Sequence, residues 1–415
     1  MTQAKRDKWR VPSGRWLFQS REDIATVVDL GAQKIACAIV LLTAPRFGPD
    51  AGPRNIRVLG SAVVRSSGVA GGRIVNMIAA EASVRRVVAQ AEAKAGVTVE
   101  DVIVTGQFQA LATHVFDAVL GHGQAEFLQK EDVEAIARAA ADHCASRQRK
   151  LLHVFTAAAE AADATDVIAI SMPLRGARQL AACFGRSLLT AQSFVAGPLA
   201  ASLSVTNALE RTGGILVVDM GAQSTGFVLF SGGTPIFADI EPAAGQHITD
   251  DISRAFALKS FEAERLKIRY GSVFDGLQAD VDLPANNKET REPISKLSLN
   301  HVIRLRVTAI LKAVNERLKG AGYSVPQGGI VLTGGSSLLP GVRELAAQLL
   351  KCEVRVTKPM ALNGLEGSNS LSALIGACLY ASRHQPEEEM AYSSQLASRE
   401  SSYASRIGQW LRASF

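Results

Sequence analysis

The sequence predicts an α/β protein built as two lobes. A strand, an Asp-x-Gly turn and a second strand occur twice with nearly the same residues, VVDLGAQ at 27–33 and VVDMGAQ at 217–223. Such self-similarity marks an internal repeat. Apolar strand-like runs alternate with stretches of helical spacing along the chain. The chain has 415 residues, 47% of them hydrophobic, which allows two to four domains and a substantial core.

The elements can be justified in order. ATVVDLG and KIACAIVLL read as strands around the turn Gly31-Ala32-Gln33, and NIRVLGSAVV as a third. Residues 74–96 have helical spacing and end in Gly96, a stop signal. VEDVIVTG opens a new unit, and 130–145 reads as a helix led by Glu131 and Asp132, acids that suit the positive end of its dipole. DVIAIS is a strand. A helix from about Gly176 leads to SFVAGPLAASLSV and then to the second hairpin, GILVVDMGAQSTGFVLFSGG. Residues 251–270 read as one polar-faced helical stretch, 277–293 as a polar loop and 299–319 as a strong helix. GGIVLTGGSSLLPGVREL is strand, Gly-Gly turn and helix start, and SALIGACLYA is a short apolar helix. From Arg383 the composition turns polar, as in a linker, before a last patterned segment.

Composition excludes several classes. The apolar fraction is too high for a disordered chain. No apolar run approaches the ~18–20 residues that cross a bilayer, so no transmembrane helix is expected. The first residues are basic but lack the apolar stretch of a secretory signal. Cys37, Cys144, Cys183, Cys352 and Cys378 are scattered and odd in number, with no metal spacing; they read as reduced core thiols of a cytosolic protein. Of the net charge of +6, residues 1–21 carry +5 and the remainder +1. The basicity therefore belongs to an arm rather than to a folded basic face, and no nucleic-acid partner is expected. The arm is either solvated or in contact with anionic lipid.

The repeated turns suit phosphate. Glycine lets an anion approach backbone N–H groups, and a tight turn aims several at one point. Gly31, Gln33 and Lys34 form the first candidate set, with Lys34 placing a cation beside a β- or γ-phosphate; Gly221 and Ser224 form the second with Asp219. Asp29 and Asp219, each at a strand end, could hold Mg²⁺ through water. One such turn alone is usually an ordinary hairpin; two, with a later apolar strand ending in Thr-Gly-Gly-Ser, favour phosphate. Gly334 and Gly335 leave room for a flat base or an α-phosphate against backbone, and Ser336 can cap the next helix or donate to phosphate. His114, His122, His143 and His153 share no ligand spacing and no triad partners.

In this order VVDLGAQK, FVAGPLAAS, VVDMGAQST, EAERLK, VLTGG and ALIGACLY resemble the five-part signature of the actin/Hsp70/hexokinase ATPase fold. With the intervening segments and the tail, residues 25–382 and the C-terminal end resemble the FtsA family of bacterial cell-division actin homologues. The resemblance implies an actin-like two-lobed α/β fold with a small inserted α+β (SHS2-like) domain, and ATP and Mg²⁺ as ligands. It implies a basic flexible arm at 1–24. The first lobe's 25–98 would be completed by 185–216 and 366–382, with an insert at 99–184. The second lobe would comprise 217–245 with 320–365, and 246–319; a linker at 383–400 and a membrane-targeting helix at 401–415 would follow. Carried over by position, Glu264 and Lys267 would touch ribose and adenine, and Gly245, Gly334 and Gly335 would cradle adenosine. Gly197 and Gly376 would sit on the close-packed helices between the lobes.

Two departures stand out. Where the family's second turn usually carries Asp, this chain has Gly226, so one carboxylate is missing and hydrolysis is expected to be slow at most; Gln223 is the nearest candidate for orienting water. The segment between His153 and Asp166 is Ala-rich and short, so one edge of the insert is expected to be missing.

The C-terminal segment SSYASRIGQWLRASF, wound at 100° per residue, gathers Tyr403, Ile407, Trp410, Leu411 and Phe415 within roughly 140° of arc, with Arg406 and Arg412 at the margins. That is the pattern of a helix in a lipid interface; docking on its own globular domain or on a partner is the competing reading. On the helix at 299–319, Arg304, Arg306, Lys312 and Arg317 form either a solvated face or part of a partner site. The resemblance implies that the acidic C-terminal tail of the tubulin-like protein FtsZ binds near this surface, with Arg306 able to pair a carboxylate bidentately. It further implies a homopolymer on the cytoplasmic face of the inner membrane at the division site, bound to anionic lipid and to other division proteins through the insert. A pilus-type actin-like scaffold and a small-molecule kinase on the same fold are the alternatives.

Overall fold

The structure is a computed structural model and describes residues 22–43, 54–119, 130–157, 164–274, 282–283 and 294–383. The basic arm, the linker beyond Arg383 and the C-terminal segment with Tyr403, Ile407, Trp410, Leu411 and Phe415 lie outside the described residues, as does most of the polar loop at 277–293.

The chain opens with β1 (Glu22–Leu30), β2 (Lys34–Thr43), β3 (Asn55–Arg65), the two-residue strands β4 (Val69–Ala70) and β5 (Arg73–Ile74), and α1 (Met77–Ala95). It continues through β6 (Asp101–Gly106), β7 (Ala112–Val119), α2 (Lys130–Ala145), β8 (Arg149–Ala157), β9 (Ala164–Pro173), α3 (Leu174–Arg186), β10 (Thr190–Ala196), α4 (Gly197–Val205) and α5 (Ala208–Gly213). The second half contains β11 (Ile215–Met220), β12 (Thr225–Ser231), β13 (Thr234–Glu241), α6 (Gly245–Ala255), α7 (Ser260–Tyr270), β14 (Asp282–Leu283) and β15 (Ile294–Ser295). It closes with α8 (Lys296–Gly320), β16 (Ile330–Thr333), α9 (Val342–Leu350), β17 (Val354–Val356) and α10 (Ser372–Arg383).

Two five-stranded sheets repeat one topology. Their orders are β3-β2-β1-β6-β10 and β13-β12-β11-β16-β17. In each, the Asp-x-Gly hairpin is antiparallel and its first strand has a parallel neighbour on the other side. The registers match: Asp29 lies opposite Ala36 and Thr105, and Asp219 opposite Gly226 and Thr333. β11 and β16 are buried along their whole length and apolar apart from Asp219 and Thr333.

The lobes meet at α4, whose residues are all buried and which touches strands of both sheets. A helix without a polar face must be enclosed. Gly376 of α10 packs on it so closely that a Cβ there would fall 1.6 Å from the Ala200 carbonyl oxygen. The insert is a three-stranded antiparallel sheet, β7-β9-β8, backed by α2, with a core that includes Ile136, Ala140, Leu151, Val154 and Val167. All five cysteines are free thiols, and only Cys352 is not fully buried.

Several boundaries differ from the sequence expectation. β6 pairs in parallel with both β1 and β10, so it belongs to the first lobe's sheet, and the insert begins after Gly106 rather than at 99. The segment 251–270 is not one helix: α6 stops at Ala255, Ala257 turns left-handed at φ 48°, and α7 starts at Ser260. The Ser253 hydroxyl donates to the Leu258 carbonyl and holds that break. α1 starts at Met77, after Asn76, whose side chain accepts from the Ala79 amide; Ile74 instead ends a hairpin. β7 and β8 were not expected.

Candidate functional site

The Asp-x-Gly turns face one another across a cleft of about 370 Å³. Gly31, Gln33, Lys34, Asp219, Gly221, Ser224, Gly245, Glu264, Lys267, Gly334, Gly335, Ser336 and Asp29, the residues singled out from the sequence for ligand and cation, all line it. Arg306 does not, and the C-terminal apolar residues lie outside the described residues.

The carboxylates sit at equivalent places in the repeat, one at the end of β1 and one at the end of β11. Burial drives the Asp29 carboxyl well above its usual range; the Lys34 ammonium opposes this and the neighbouring Asp219 adds to it. Asp219 is pushed up to about 6, again chiefly by burial, against a hydrogen bond from Gln107 and the charge of Lys34. Lys34 itself is lowered by burial and partly restored by the two carboxylates. Two buried acids beside one cation favour an added positive charge.

The second turn is wired to its surroundings. Gly221 N–H donates to the Ser224 carbonyl at 3.1 Å. The carbonyls of Gly221 and Ala222 accept from the amides of Gly245 and Gln246, at 3.3 and 2.6 Å, where α6 begins. The Ser336 hydroxyl donates to the Gly221 carbonyl at 2.7 Å, so the Gly-Gly turn after β16 is fixed to the phosphate-type turn. Gly334 has φ 85°, and a Cβ there would fall 2.4 Å from Asp219 Oδ1. Only glycine meets both conditions without strain.

On the far wall, Lys267 of α7 is buried and donates to the Gly245 carbonyl and the Thr249 hydroxyl, both at 2.8 Å, while pairing with Glu264 at 2.7 Å. Thr249 also donates to the Glu264 carboxylate. These contacts hold two polar side chains against the wall beside the apolar Ile268, Leu338 and Leu339.

Sequence reasoning missed Gln107, the residue after β6. Its Nε2 donates to the Asp219 carbonyl and carboxylate, and its Oε1 accepts from the Ser224 hydroxyl at 2.6 Å. The signal was available in the repeat: Thr105-Gly106-Gln107 ends β6 as Thr333-Gly334-Gly335 ends β16, and both strands flank an Asp-bearing partner. Asn369 and Ser370 also line the cleft and carried no motif. Gln223 does not stand free in the cleft: its Oε1 accepts from the Gly71 amide of the opposite lobe at 2.7 Å. Arg306 lies on α8 and already grips a carboxylate, pairing through Nε and Nη2 with Asp251 of α6 at 2.5 and 3.0 Å.

The fold and sequence have recognisable relatives. The family model described as "Cell division protein FtsA" matches residues 216–376. The cell-division protein FtsA of Rhizobium meliloti is 29% identical, with 98% of each chain covered. Among solved structures, the PilM–PilN type IV pilus biogenesis complex is similar with a TM-score of 0.60 and 16% identity, covering 94% of this chain and 98% of the other. MreB5 of Spiroplasma citri bound to AMPPNP is similar with a TM-score of 0.54 and 12% identity, covering 91% and 100%. These two structures bear on the fold alone, an actin-like two-lobed one. The sequence match carries more: along nearly its whole length the chain is similar to FtsA, a bacterial cell-division protein.

Proposed function

We propose that the protein binds Mg·ATP in the cleft and polymerises on the inner face of the cytoplasmic membrane. There it would link the FtsZ ring to the bilayer through its C-terminal helix and recruit other division proteins through the insert. The observation that carries the nucleotide reading is the convergence of both Asp-x-Gly turns and the Gly334–Ser336 turn on one cleft.

The residues fit the ligand. Asp29 and Asp219 are buried acids that a divalent cation would neutralise, with Lys34 beside them. Gly31 and Gly221 bring backbone near an anion, and the Ile268–Leu338 side offers a flat base an apolar wall. Glu264 and Lys267 are held at the sugar end, and Gly335 leaves open space, since an added Cβ would meet nothing nearer than Ser370 Cβ at 4.0 Å. When bound, ATP supplies a charge difference between triphosphate and diphosphate that an assembly switch can read.

Binding rather than turnover is the working signal in this reading. Gly226 leaves the second turn without a further carboxylate, and Gln223 spends its side-chain carbonyl on Gly71. Arg306 would meet the acidic FtsZ tail at the α6–α8 surface, sharing its guanidinium between Asp251 and the partner.

The membrane part rests on Tyr403, Ile407, Trp410, Leu411 and Phe415. Each large apolar side chain buried is worth at most about 1.5–3 kcal/mol. Ordering ~12–15 residues consumes much of that, so one copy attaches weakly. A polymer of tethered copies binds far more tightly by avidity, which suits a protein that assembles on the bilayer. Vesicle sedimentation tests the reading. The protein should pellet with liposomes more fully with Mg·ATP than without, and Trp410→Glu should abolish the gain. Pelleting that ignores both nucleotide and Trp410→Glu contradicts it.

A further inference from the structure

The Gln107 amide carries the donor and acceptor pattern of the ligand groups that the second turn suits. Its Nε2 donates to the Asp219 carboxylate at 2.9 Å and to the Asp219 carbonyl at 3.0 Å. A water on a divalent cation donates to a carboxylate in the same way. Its Oε1 accepts from the Ser224 hydroxyl at 2.6 Å, as a phosphate oxygen would. One neutral side chain of the first lobe therefore holds both groups that the turn can offer to a cation and a phosphate.

The amide is wedged in place. A Cβ at Gly221 would fall 3.3 Å from Nε2, and one at Gly226 3.4 Å from Cδ, so the glycines of the second hairpin close around it. The backbone of Gln107 is just as confined. A Cβ at Gly72 would fall 1.9 Å from its carbonyl oxygen, and one at Gly197 3.0 Å from its nitrogen. Gln109 N–H also donates to the Gly72 carbonyl at 3.1 Å.

A second bond crosses the cleft beside the first. Gly71 and Gly72 form the turn between β4 and β5, and the Gly71 amide donates to Gln223 Oε1 at 2.7 Å. Two glutamines, one from each lobe, thus clasp the second turn to the Gly71–Gly72 turn and the end of β6.

We propose that Gln107 is an internal competitor for the cation–phosphate end of the cleft: Mg·ATP takes over Asp219 and Ser224 only as this amide lets go, and the Gln223–Gly71 bond opens with it. The inference deepens the nucleotide reading proposed above and rests on it for the ligand. Competition is favoured over support of the ligand because both ends of the amide are bonded to the groups the ligand needs. A cation's waters and a phosphate oxyanion would replace it with charge-assisted hydrogen bonds, which are the stronger kind. Since neither the Gln107 backbone nor the second turn has room to shift, release draws the end of β6 away from that turn. Occupancy of the cleft is then felt at the Gly71–Gly72 turn of the opposite lobe.

The sign of one affinity change tests this on the full-length protein. By linkage, a contact made only in the unliganded protein weakens ligand binding by as much as it stabilises that state. In calorimetric titrations Gln107→Ala should bind Mg·ATP at least about fivefold more tightly than the parent, the low end for lost hydrogen bonds to a charged group. Gln107→Asn keeps an amide one methylene too short for both contacts; it should also bind more tightly, and it guards against a folding defect in the alanine variant. In the parent, saturating Mg·ATP should speed hydrogen exchange at the Gly71 amide, where a ligand that merely rigidified the cleft would slow it. Equal or weaker binding in both variants overturns the competition and leaves the nucleotide reading standing. Slower exchange at Gly71 overturns its coupling to the lobes. Mg·ATP binding seen only in the variants supports the proposal in its strongest form, whereas no binding by any of the three proteins overturns the nucleotide reading and the inference together.

Discussion

Gln107 of the first lobe donates from one nitrogen to both the main-chain carbonyl and the carboxylate of Asp219 in the second, at 3.0 and 2.9 Å. The same side chain accepts from Ser224, so one residue ties β6 to the two ends of the opposite turn. Gln107→Leu leaves a buried carboxylate without its donor. The nucleotide-free protein should lose about 1–3 kcal/mol in urea unfolding, the usual cost of an orphaned buried polar group. An unchanged midpoint would mean the cross-cleft bond is not formed in solution.

Gly226, where the family resemblance implies an Asp, stands in tight surroundings. A Cβ there would fall 2.5 Å from Pro198 Cγ, at the start of α4. Gly226→Asp should therefore destabilise by about 1–3 kcal/mol, as overpacking does, without raising ATP hydrolysis. Adding Pro198→Ala should recover part of the stability, since the residues are in contact and their effects should not add. Thermal unfolding of the single and double variants checks this.

Close packing of α4 on α10 makes an equally direct prediction. Gly376→Ala drives a methyl into the Ala200 carbonyl and should yield little folded protein. Gly335→Ala, with nothing nearer than 4.0 Å, is the control and should unfold like the parent. The comparison is read from soluble yield and circular dichroism melts.

The insert should carry a pH-dependent stability. His114 accepts or donates at Ser171 Oγ at 2.9 Å, and burial, then the charges of Arg149, His143 and Arg147, lower its pKa to about 4. Between pH 6.5 and 4 the unfolded chain binds a proton that the folded one refuses, so stability is present above 6.5 and is lost as pH falls through this window. His114→Gln removes that proton uptake. The fall in melting temperature from pH 7 to 4.5 should be smaller in the variant, and equal slopes would refute the assignment.

Much of this fold is written in local pattern. Asp29 and Asp219 stand in repeated hairpins whose strands are continuous apolar runs, so both the sheets and the turns could be read directly. What escaped depends on distant partners. Nothing in FALKSFE announces the break at Ala257, because no Gly or Pro marks it and the left-handed turn is held by Ser253 reaching to Leu258. β7 and β8 carry His114, Thr113 and Arg149, polar residues whose places are set by Ser171 and Ala238 across the insert's sheet and beyond it. Arg306 read as part of either a solvated face or a partner site, yet its carboxylate partner within the fold, Asp251, comes from another helix. Gln107 carried no motif because its role exists only once two lobes face each other.

The central claim is that the cleft between the two turns takes Mg·ATP, and an equilibrium titration of nucleotide-stripped protein tests it most directly. The account predicts saturable binding at one site per chain, tighter with Mg²⁺ than with chelator, and weakened at least about tenfold by Lys34→Ala or Asp219→Asn, each a loss of about 1.4 kcal/mol or more. Absence of saturable binding, or binding that neither substitution alters, would contradict it.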